Sequence, residues 1–231
     1  MLLDGASTPA GVETGCVHGV AWYTRRLGGL LLAHMTPGTT LADALGAAIE
    51  AATSLHSATC DLSNQESPPA TVVAVRFTGE RLDYLVLSDS VLVLDHADGR
   101  AEAVIDTRLD ELKDRLGRES QVKGAARAYR NIPDGFWTAG ADPRAAREAI
   151  TGTVPGGDLA RFAMLTDGAS RIVDLFGQLT WRDALRLGVE RGPQELIRRV
   201  RETEGTDPEQ RRYPRGKHHD DATVVVWRPS V

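Results

Sequence analysis

The tetrapeptide Asp-Gly-Ala-Ser occurs twice in this chain of 231 residues, at positions 4–7 and 167–170. Each copy directly follows an apolar run, and the run before the second copy is long enough to form a buried strand. The glycine after each aspartate tolerates almost any backbone turn. The pattern therefore predicts two strands that deliver Asp4 and Asp167 to the rim of a core. A third acidic doublet, Asp220-Asp221, opens the last apolar run of the chain.

Aspartates at three separate strand ends are typical of a site for hard divalent cations. Mg²⁺ and Mn²⁺ prefer oxygen ligands and keep several waters. Two aspartates held close together repel each other, so at neutral pH they either raise one pKa or recruit a cation. The sequence thus predicts a divalent-metal site, provided that the fold brings the three strand ends together.

Composition restricts the classes of protein that remain. The hydrophobic fraction of 42% is sufficient for a substantial core, and we expect a single domain over residues 1–231. A net charge of −5 and a pI near 5.7 argue against a nucleic-acid-binding surface. No apolar run reaches the length of a membrane span, and the first residues lack the features of a secretory signal, so we expect a cytoplasmic protein without membrane partners.

Periodicity predicts helices and strands in separate blocks. Helices are expected over residues 20–35, from Thr39 or Thr40 to residue 55, over 107–130 with an interruption near Gly117 or Gly124, from Pro143 to Ile150, and from Thr180 and Gly192-Pro193 onward. Strand-like runs at 71–78, 82–87, 91–95 and 100–105 are separated by short turns and predict an antiparallel meander. This order favours an α+β fold in which helices cover antiparallel sheets.

Four motifs in a fixed order carry a resemblance to a known family. They are Leu-Asp-Gly at 3–5, Ser-Asp-Ser at 88–90, Leu-Thr-Asp-Gly at 165–168 and Asp-Asp-Ala-Thr at 220–223. Together they resemble the metal-dependent protein phosphatase family, type 2C, in its bacterial form. The resemblance implies a four-layer αββα sandwich of two antiparallel sheets flanked by helices. It also implies two Mg²⁺ or Mn²⁺ ions, with a third in some members.

The resemblance assigns roles to residues that match the family's motifs. Asp4 would bridge two ions, the backbone carbonyl of Gly5 would complete one site, and Asp167 and Asp220 would hold the other. A metal-bridging water held by Asp4 and Asp167 would attack phosphorus. Asp89, in the Ser-Asp-Ser motif, would support the third ion, although a plain hairpin turn explains it equally well.

This chain also departs from the family's pattern. The first Asp-Gly is often followed there by a histidine proposed as general acid, whereas Ala6 stands here, and His18 is the candidate replacement. The family normally places two strands with a phosphate-binding arginine before that motif, but three residues precede Asp4. Either further chain lies upstream or the N-terminal edge strands are lacking. The candidate substitutes for the phosphate clamp are Arg171, Arg215 and Lys217.

Two functions from different classes remain open. The first is a phosphoprotein serine/threonine phosphatase that hydrolyses a phosphate monoester, and the second is a catalytically weak or inactive phosphatase-like module that binds a phosphoprotein. An aspartyl-nucleophile phosphatase is set aside, because neither Asp-Gly motif continues as Asp-x-Asp. The substrate and the oligomeric state are not specified by the sequence.

Cysteine and histidine form two further pairs, Cys16 with His18 and His56 with Cys60. No Cys-x-x-Cys spacing supports a zinc site, so buried thiols and surface imidazoles are the favoured interpretation. His218-His219 beside Asp220 is equally unassigned, since oxygen-preferring metals gain little from imidazole.

Overall fold

The computed structural model describes residues 1–8, 11–117 and 125–229. The strands are β1 (Leu2–Gly5), β2 (Ala70–Phe77), β3 (Arg81–Leu87), β4 (Val91–His96), β5 (Ala101–Val104), β6 (Ile150–Pro155), β7 (Leu159–Leu165) and β8 (Val224–Trp227). The α-helices are α1 (Val20–His34), α2 (Leu41–Ser54), α3 (Arg108–Leu116), α4 (Asp167–Ser170), α5 (Trp181–Arg191) and α6 (Pro193–Gly205).

The strands form two antiparallel sheets of four. The first has the order β1-β2-β3-β6 and the second the order β5-β4-β7-β8. The predicted meander is therefore wrong at one point, because β3 and β4 belong to different sheets. The connection between them, Ser88 to Ser90, has a left-handed residue at Ser88 with φ of 68° and crosses from one sheet to the other. Three residues can also close a hairpin, so the length of this connection did not distinguish a hairpin from a crossing between the sheets.

The side chains of the strands alternate between two buried faces. In β2, Val72 and Ala74 pack against the layer of α1 and α2, while Val73 faces the space between the sheets. In β4, Leu92 and Leu94 face the same intersheet space, and neighbouring residues of that strand pack toward α5. The period of two along both strands thus places helices outside each sheet. This is the four-layer αββα sandwich that the resemblance implied, and the fold class is confirmed.

Local signals account for where several helices begin. Thr40 precedes α2, and its hydroxyl oxygen accepts a hydrogen bond from the backbone N–H of Asp43 at 3.0 Å. Thr180 does the same for Asp183 at the start of α5, at 3.1 Å. Because these caps satisfy N–H groups that the helix itself leaves free, both starts follow directly from the sequence.

Other predicted helix boundaries needed correction. The expected helix from Pro143 to Ile150 is a 3₁₀ helix at Pro143–Glu148, and Ile150 begins strand β6 instead. Glycine is uncommon within strands, so Gly152 argued against a strand at this point of the sequence. The sheet requires it there, because a Cβ would lie 2.3 Å from the Tyr84 hydroxyl on neighbouring β3. The helix expected over 107–130 comprises α3 and a 3₁₀ turn at Ala125–Tyr129, and the interruption expected at Gly124 lies outside the described residues.

Within the described ranges, no helix combines the length and apolar character needed to cross a bilayer.

Candidate active site

The strand ends that carry the aspartates all lie at one end of the double sheet. Gly5 at the end of β1 pairs with Ala70 at the start of β2. In the second sheet, Leu165 at the end of β7 pairs with Val91 at the start of β4 and with Val224 at the start of β8. Four segments therefore meet at the same end of the sandwich. They are the segments that follow β1 and β7 and the segments that precede β4 and β8.

A side-chain hydrogen bond joins the two sheets at this end. The hydroxyl oxygens of Thr71, in β2, and Ser90, just before β4, lie 2.6 Å apart, and both residues are buried. This contact links the two sheets beside Asp4, which lies opposite Thr71, and beside Asp89, which precedes Ser90.

The strand ends surround one open pocket of about 480 Å³. Its lining comprises Asp4, Gly5, Ala6, Ser7, Thr71, Asp89, Lys113, Asp167, Arg171, Pro214, Arg215, Gly216, Lys217, Asp220 and Asp221. All four aspartates suggested as metal ligands face this pocket, together with Asp221. We call this set of five carboxylates and their surroundings the acidic pocket.

Both Asp-Gly motifs need glycine because of close packing. A Cβ at Gly5 would lie 2.2 Å from Cγ1 of Val20 on α1. A Cβ at Gly168 would lie 2.1 Å from the backbone oxygen of Asp221. The second glycine thus lets the start of α4 approach the segment before β8, which places Asp167 beside Asp220.

Asp89 is positioned by a residue that the sequence did not single out. The buried carboxylate of Asp106 accepts a hydrogen bond from the backbone N–H of Ser88 at 3.0 Å. The same carboxylate pairs with the Arg108 guanidinium at 2.7 Å. This network holds the left-handed bend at Ser88 and turns Asp89 toward the acidic pocket. An aspartate that acts through a backbone N–H carries no motif, which explains why Asp106 was missed.

The carboxylates perturb one another strongly. Burial raises the pKa of Asp4 to about 8, with further contributions from the charges of Asp167 and Asp221. Burial, followed by the charge of Asp167, raises the pKa of Asp89 to about 6. Burial also raises the pKa of Asp220, although Lys217 and Arg171 oppose the shift. The protein alone does not neutralise this concentration of negative charge.

The donor set fits hard divalent cations. Carboxylate and carbonyl oxygens are the ligands of Mg²⁺ and Mn²⁺, and Asp4, Asp167, Asp220 and Asp89 supply them from one wall of an open pocket. Burial and the neighbouring carboxylates of Asp167 and Asp221 raise the pKa of Asp4, and a bound cation would oppose both effects.

All three candidate phosphate-binding cations are engaged in ion pairs, and two of them have buried side chains. Arg171 is buried, and its guanidinium donates to Glu204 at 2.7 Å and to Asp220 at 2.9 Å. Arg215 is also buried and donates to the Asp207 carboxylate at 2.9 Å. Both arginines line the acidic pocket, but their guanidinium groups hold the walls together.

Two lysines at the rim are more accessible. Lys217, with 46% of its side chain exposed, donates to Asp220 at 2.5 Å. Lys113 on α3 is exposed to a similar extent and pairs with Asp110 at 2.9 Å. Lys113 was not anticipated, because a lysine on a charged helix has no signal that distinguishes it from a solvated surface residue.

His18 lies elsewhere. The residues that the structure describes around the acidic pocket do not include it, and its ring stacks on Trp22 with centroids 3.9 Å apart. His56 is buried with 3% exposure, so the expectation of a surface imidazole was wrong for that residue. Both histidines lie beside Cys16 and Cys60 in a separate cluster.

Comparisons with known proteins were made on sequence and on structure. The profile of a family described as Protein phosphatase 2C matches residues 1–196. A search of curated proteins gave no significant match.

Solved structures of the same architecture cover nearly the whole chain. The structure is similar to that of the Mycobacterium tuberculosis serine/threonine phosphatase PstP/Ppp, with a TM-score of 0.57 and 20% identity over 97% of this chain and 85% of that one. It is similar to the catalytic domain of PstP in complex with two manganese ions, with a TM-score of 0.55, 20% identity, and coverage of 97% and 84%. Serine/threonine phosphatase Stp1 from Staphylococcus aureus gives a TM-score of 0.55, 11% identity, and coverage of 97% and 80%. At these identities the structural likeness establishes the fold.

Proposed function

Since this chain belongs to the protein phosphatase 2C family, we propose that it is a phosphoprotein phosphatase that uses divalent cations to hydrolyse phosphoserine or phosphothreonine monoesters. The observation that carries this proposal is the acidic pocket. Aspartates separated by as many as 216 positions, from Asp4 to Asp220, line the same opening at one end of the sandwich.

The role of each metal ligand is proposed from the position of its side chain or carbonyl group in the acidic pocket. Of the neighbouring charges, that of Asp167 acts most strongly on the Asp4 carboxyl group and raises its pKa, so the two side chains are suited to hold cations in common. The backbone carbonyl of Gly5 and the carboxylate of Asp220 complete the set of oxygens, and Asp89 is the candidate for a third, weaker ion. Bound Mg²⁺ or Mn²⁺, two ions by analogy with the structure of PstP, would place positive charge on the phosphoryl oxygens and lower the pKa of a water nucleophile.

The protein's own residues shape the rest of the pocket. Asp167 is oriented by the backbone N–H of Gly168, which donates to its carboxylate at 2.7 Å. Asp220 is oriented by the backbone N–H of Asp221 at 3.1 Å and by Arg171. Fixed carboxylates of this kind cost no reorganisation when charge changes during the reaction.

Contact with the substrate phosphate is proposed for Lys217. Its ammonium lies at the rim, whereas Arg171 and Arg215 are buried in ion pairs. We expect Lys217 to exchange its contact with Asp220 for one with a phosphoryl oxygen when a substrate is present, since charge-assisted contacts to phosphate are favourable. His18 does not line the pocket, so water is the proposed proton source for the leaving serine or threonine oxygen.

The direct test is release of inorganic phosphate from a phosphothreonine peptide. We expect activity with Mn²⁺ or Mg²⁺, loss of activity after chelation, and recovery when the metal is restored. Asp167→Asn should reduce the rate by roughly 100-fold or more, because it removes a ligand that the substrate cannot replace. Asp114→Asn is the matched control, since Asp114 is an exposed aspartate of α3. Metal-independent hydrolysis that survives Asp167→Asn would contradict the proposal.

One observation favours a second candidate, a phosphatase-like module that binds phosphoproteins without turnover. Both carboxylate oxygens of Asp220 already contact cations, Oδ1 with Lys217 and Oδ2 with Arg171. These cations compete with a divalent ion for Asp220 and would weaken its binding.

The two candidates differ in one measurable property. Binding of Mn²⁺ and of a phosphopeptide by calorimetry, with no phosphate release over hours, would select the binding module. Turnover that saturates with the peptide would select the phosphatase.

A further inference from the structure

A second cluster of metal-ligating side chains lies outside the acidic pocket. It contains Cys16 and His18 from the loop before α1, and His56 and Cys60 from the segment after α2. One ligand atom from each residue lies within 4.8 Å of the others. The chain has two cysteines in all, and both are in this cluster, which we call the Cys/His cluster.

From this convergence we propose that Cys16, His18, His56 and Cys60 bind one structural zinc ion. Two thiolates and two imidazoles are the donor set of tetrahedral structural zinc sites. The short segments Cys16-x-His18 and His56-x₃-Cys60 each contribute one sulfur and one nitrogen.

The separations between the ligand atoms fit this coordination. Zinc bonds of 2.3 Å to sulfur and 2.0–2.1 Å to nitrogen place tetrahedral ligands about 3.3–3.8 Å apart. The Cys16 sulfur lies 3.4 Å from Nδ1 of His56 and 3.9 Å from Nδ1 of His18. The Cys60 sulfur lies 3.5 Å from Nδ1 of His18 and 3.0 Å from the Cys16 sulfur. These four separations lie within an ångström of the tetrahedral values, and the two remaining pairs lie within 4.8 Å.

The surrounding contacts hold the two segments in place without the ion. The backbone N–H of Asp61 donates to the Gly15 carbonyl at 2.7 Å, and Asn64 donates to the Glu13 carbonyl at 3.1 Å. Gly15 has φ of 68°, and a Cβ there would lie 2.9 Å from Asp61 and from Asn64. The loop is thus packed against the segment after α2, and the ligands are arranged before a metal arrives.

The environment of each ligand also suits a metal. The Nδ1 atom of buried His56 faces the cluster, while its Nε2 has no hydrogen-bond partner among the described residues, so the ring's polar contact is with the cluster. Zinc binds thiolates, so loading the site would release to solvent the proton of each cysteine thiol that is still protonated.

The position indicates what the ion would do. The loop of Cys16 and His18 is the one that leaves the first Asp-Gly motif, and the backbone N–H of Ala6 already donates to the Pro69 carbonyl at 3.1 Å. A zinc ion would add a further attachment of this loop to the segment after α2, beside the hydrogen bonds of Asp61 and Asn64. Because a structural ion that binds the folded state contributes its binding free energy to stability, zinc should stabilise the wall of the acidic pocket formed by this loop.

Cobalt substitution of the reduced, untagged full chain tests the proposal. One equivalent of Co²⁺ added to metal-free protein should give the visible bands of tetrahedral cobalt and a near-ultraviolet thiolate-to-cobalt charge-transfer band, and Zn²⁺ should abolish both. Cys60→Ser should weaken cobalt binding by about 100-fold or more and reduce the charge-transfer band. His34→Asn, a histidine of α1 outside the cluster, and Asp167→Asn, in the acidic pocket, should both retain the wild-type spectrum.

A measurement on the wild-type chain covers the case in which the cysteine variants fail to fold. Both cysteines should react with iodoacetamide in the metal-free protein, and neither should react after zinc is loaded, as counted by intact mass. Equal labelling with and without zinc would overturn the proposal. An octahedral cobalt spectrum without charge transfer, or a Cys16–Cys60 disulfide in protein purified under reducing conditions, would overturn it as well.

Discussion

The two copies of Asp-Gly-Ala-Ser have the same sequence and different conformations. In the first copy Asp4 and Gly5 are the last residues of strand β1, whereas the second copy forms the short helix α4 after strand β7. Both deliver their aspartate to the acidic pocket. The difference shows that the preceding strand and the neighbouring packing, rather than the tetrapeptide, decide the local structure.

The neighbours of the two copies explain the divergence. The first copy runs along β2, where Asp4 is opposite Thr71, and its glycine packs against α1. The second copy begins where Thr166 accepts a hydrogen bond from the Thr223 backbone N–H at 3.0 Å, and its glycine packs against the backbone of Asp221. Strand pairing continues in one case and stops in the other. Matched substitutions in the two copies therefore separate what they share from what differs.

The largest expected effect is loss of metal-dependent activity on removal of either aspartate. Asp4→Asn and Asp167→Asn should each lower phosphate release by roughly 100-fold or more, since both carboxylates are proposed to hold the same cations. Combining them should add little, because residues that act as one unit are not additive. Rates of the two single variants and the double variant at saturating Mn²⁺ test this. Independent, multiplying losses would show that the two copies serve different sites.

The next effect concerns the glycines, for which the two copies should differ. Gly168→Ala places a Cβ 2.1 Å from a backbone oxygen, so the Asp220–Asp221 segment must shift and metal affinity should fall at least tenfold. A Cβ at Gly5 meets the side chains of Val20 at 2.2 Å and Thr24 at 2.7 Å, so the second substitution Val20→Ala should restore part of what Gly5→Ala removes. Calorimetric titration with Mn²⁺ measures the metal affinity of each of these variants.

The helical Gly29 provides the control for these glycine variants. It is exposed on α1, and a Cβ there meets nothing within 4 Å. Gly29→Ala should leave manganese binding unchanged and stabilise the fold by up to about 1 kcal/mol. If Gly168→Ala behaved in the same way, the close approach of α4 to Asp221 would not matter for the site.

These outcomes bear on how much the sequence predicted. The helix starts at Thr180 and Pro193, and the one at Thr39 or Thr40 that the structure places at Thr40, were predicted because capping and helix periodicity are local properties. Placement of β3 and β4 in different sheets was not predicted, since it depends on a bend at Ser88 held by a carboxylate 18 residues away.

The site divides in the same way. Sequence order drew attention to the aspartates of the acidic pocket, because each follows or precedes an apolar run. Lys113 and Asp106 were missed, since neither a lysine on a charged helix nor an aspartate that acts through a backbone N–H carries a motif. The engagement of Arg171 with Glu204 is likewise a property of the folded chain, which brings together residues 33 positions apart. The Cys/His cluster was set aside because its two pairs are separated by about 40 residues and follow no common spacing.

A smaller effect is the pH dependence of stability in the metal-free protein. The pKa of Asp4 rises from 3.8 to about 8 on folding, so between those values the folded state binds more protons than the unfolded state. The contribution of Asp4 therefore makes the metal-free protein less stable as pH rises from 4 to 8. At pH 8, Asp4→Asn should raise the free energy of unfolding by roughly 1–3 kcal/mol, with little change at pH 4.

Urea denaturation in the presence of a chelator measures this effect. Asp167→Asn should also reduce the pH dependence, but by less, because burial is the largest cause of the Asp4 shift and the charge of Asp167 comes second. Parallel curves of stability against pH for the wild type and Asp4→Asn would show that the pKa of Asp4 does not rise on folding.

The smallest expected effect compares the serines of the two copies. Ser170 is buried, and its hydroxyl donates to the Asp167 carbonyl at 3.1 Å, whereas Ser7 is exposed. Ser170→Ala should cost about 1 kcal/mol of stability and Ser7→Ala less than about 0.5 kcal/mol. Thermal unfolding under one set of conditions compares them, and equal costs would mean that the hydrogen bond within α4 contributes nothing measurable.

Anomalous diffraction from crystals grown with Mn²⁺ tests the central claim most directly. The account predicts manganese density in the acidic pocket, within coordination distance of the carboxylate oxygens of both Asp4 and Asp167. Manganese bound by one of these aspartates without the other, or an acidic pocket without manganese in crystals of the active protein, would contradict it.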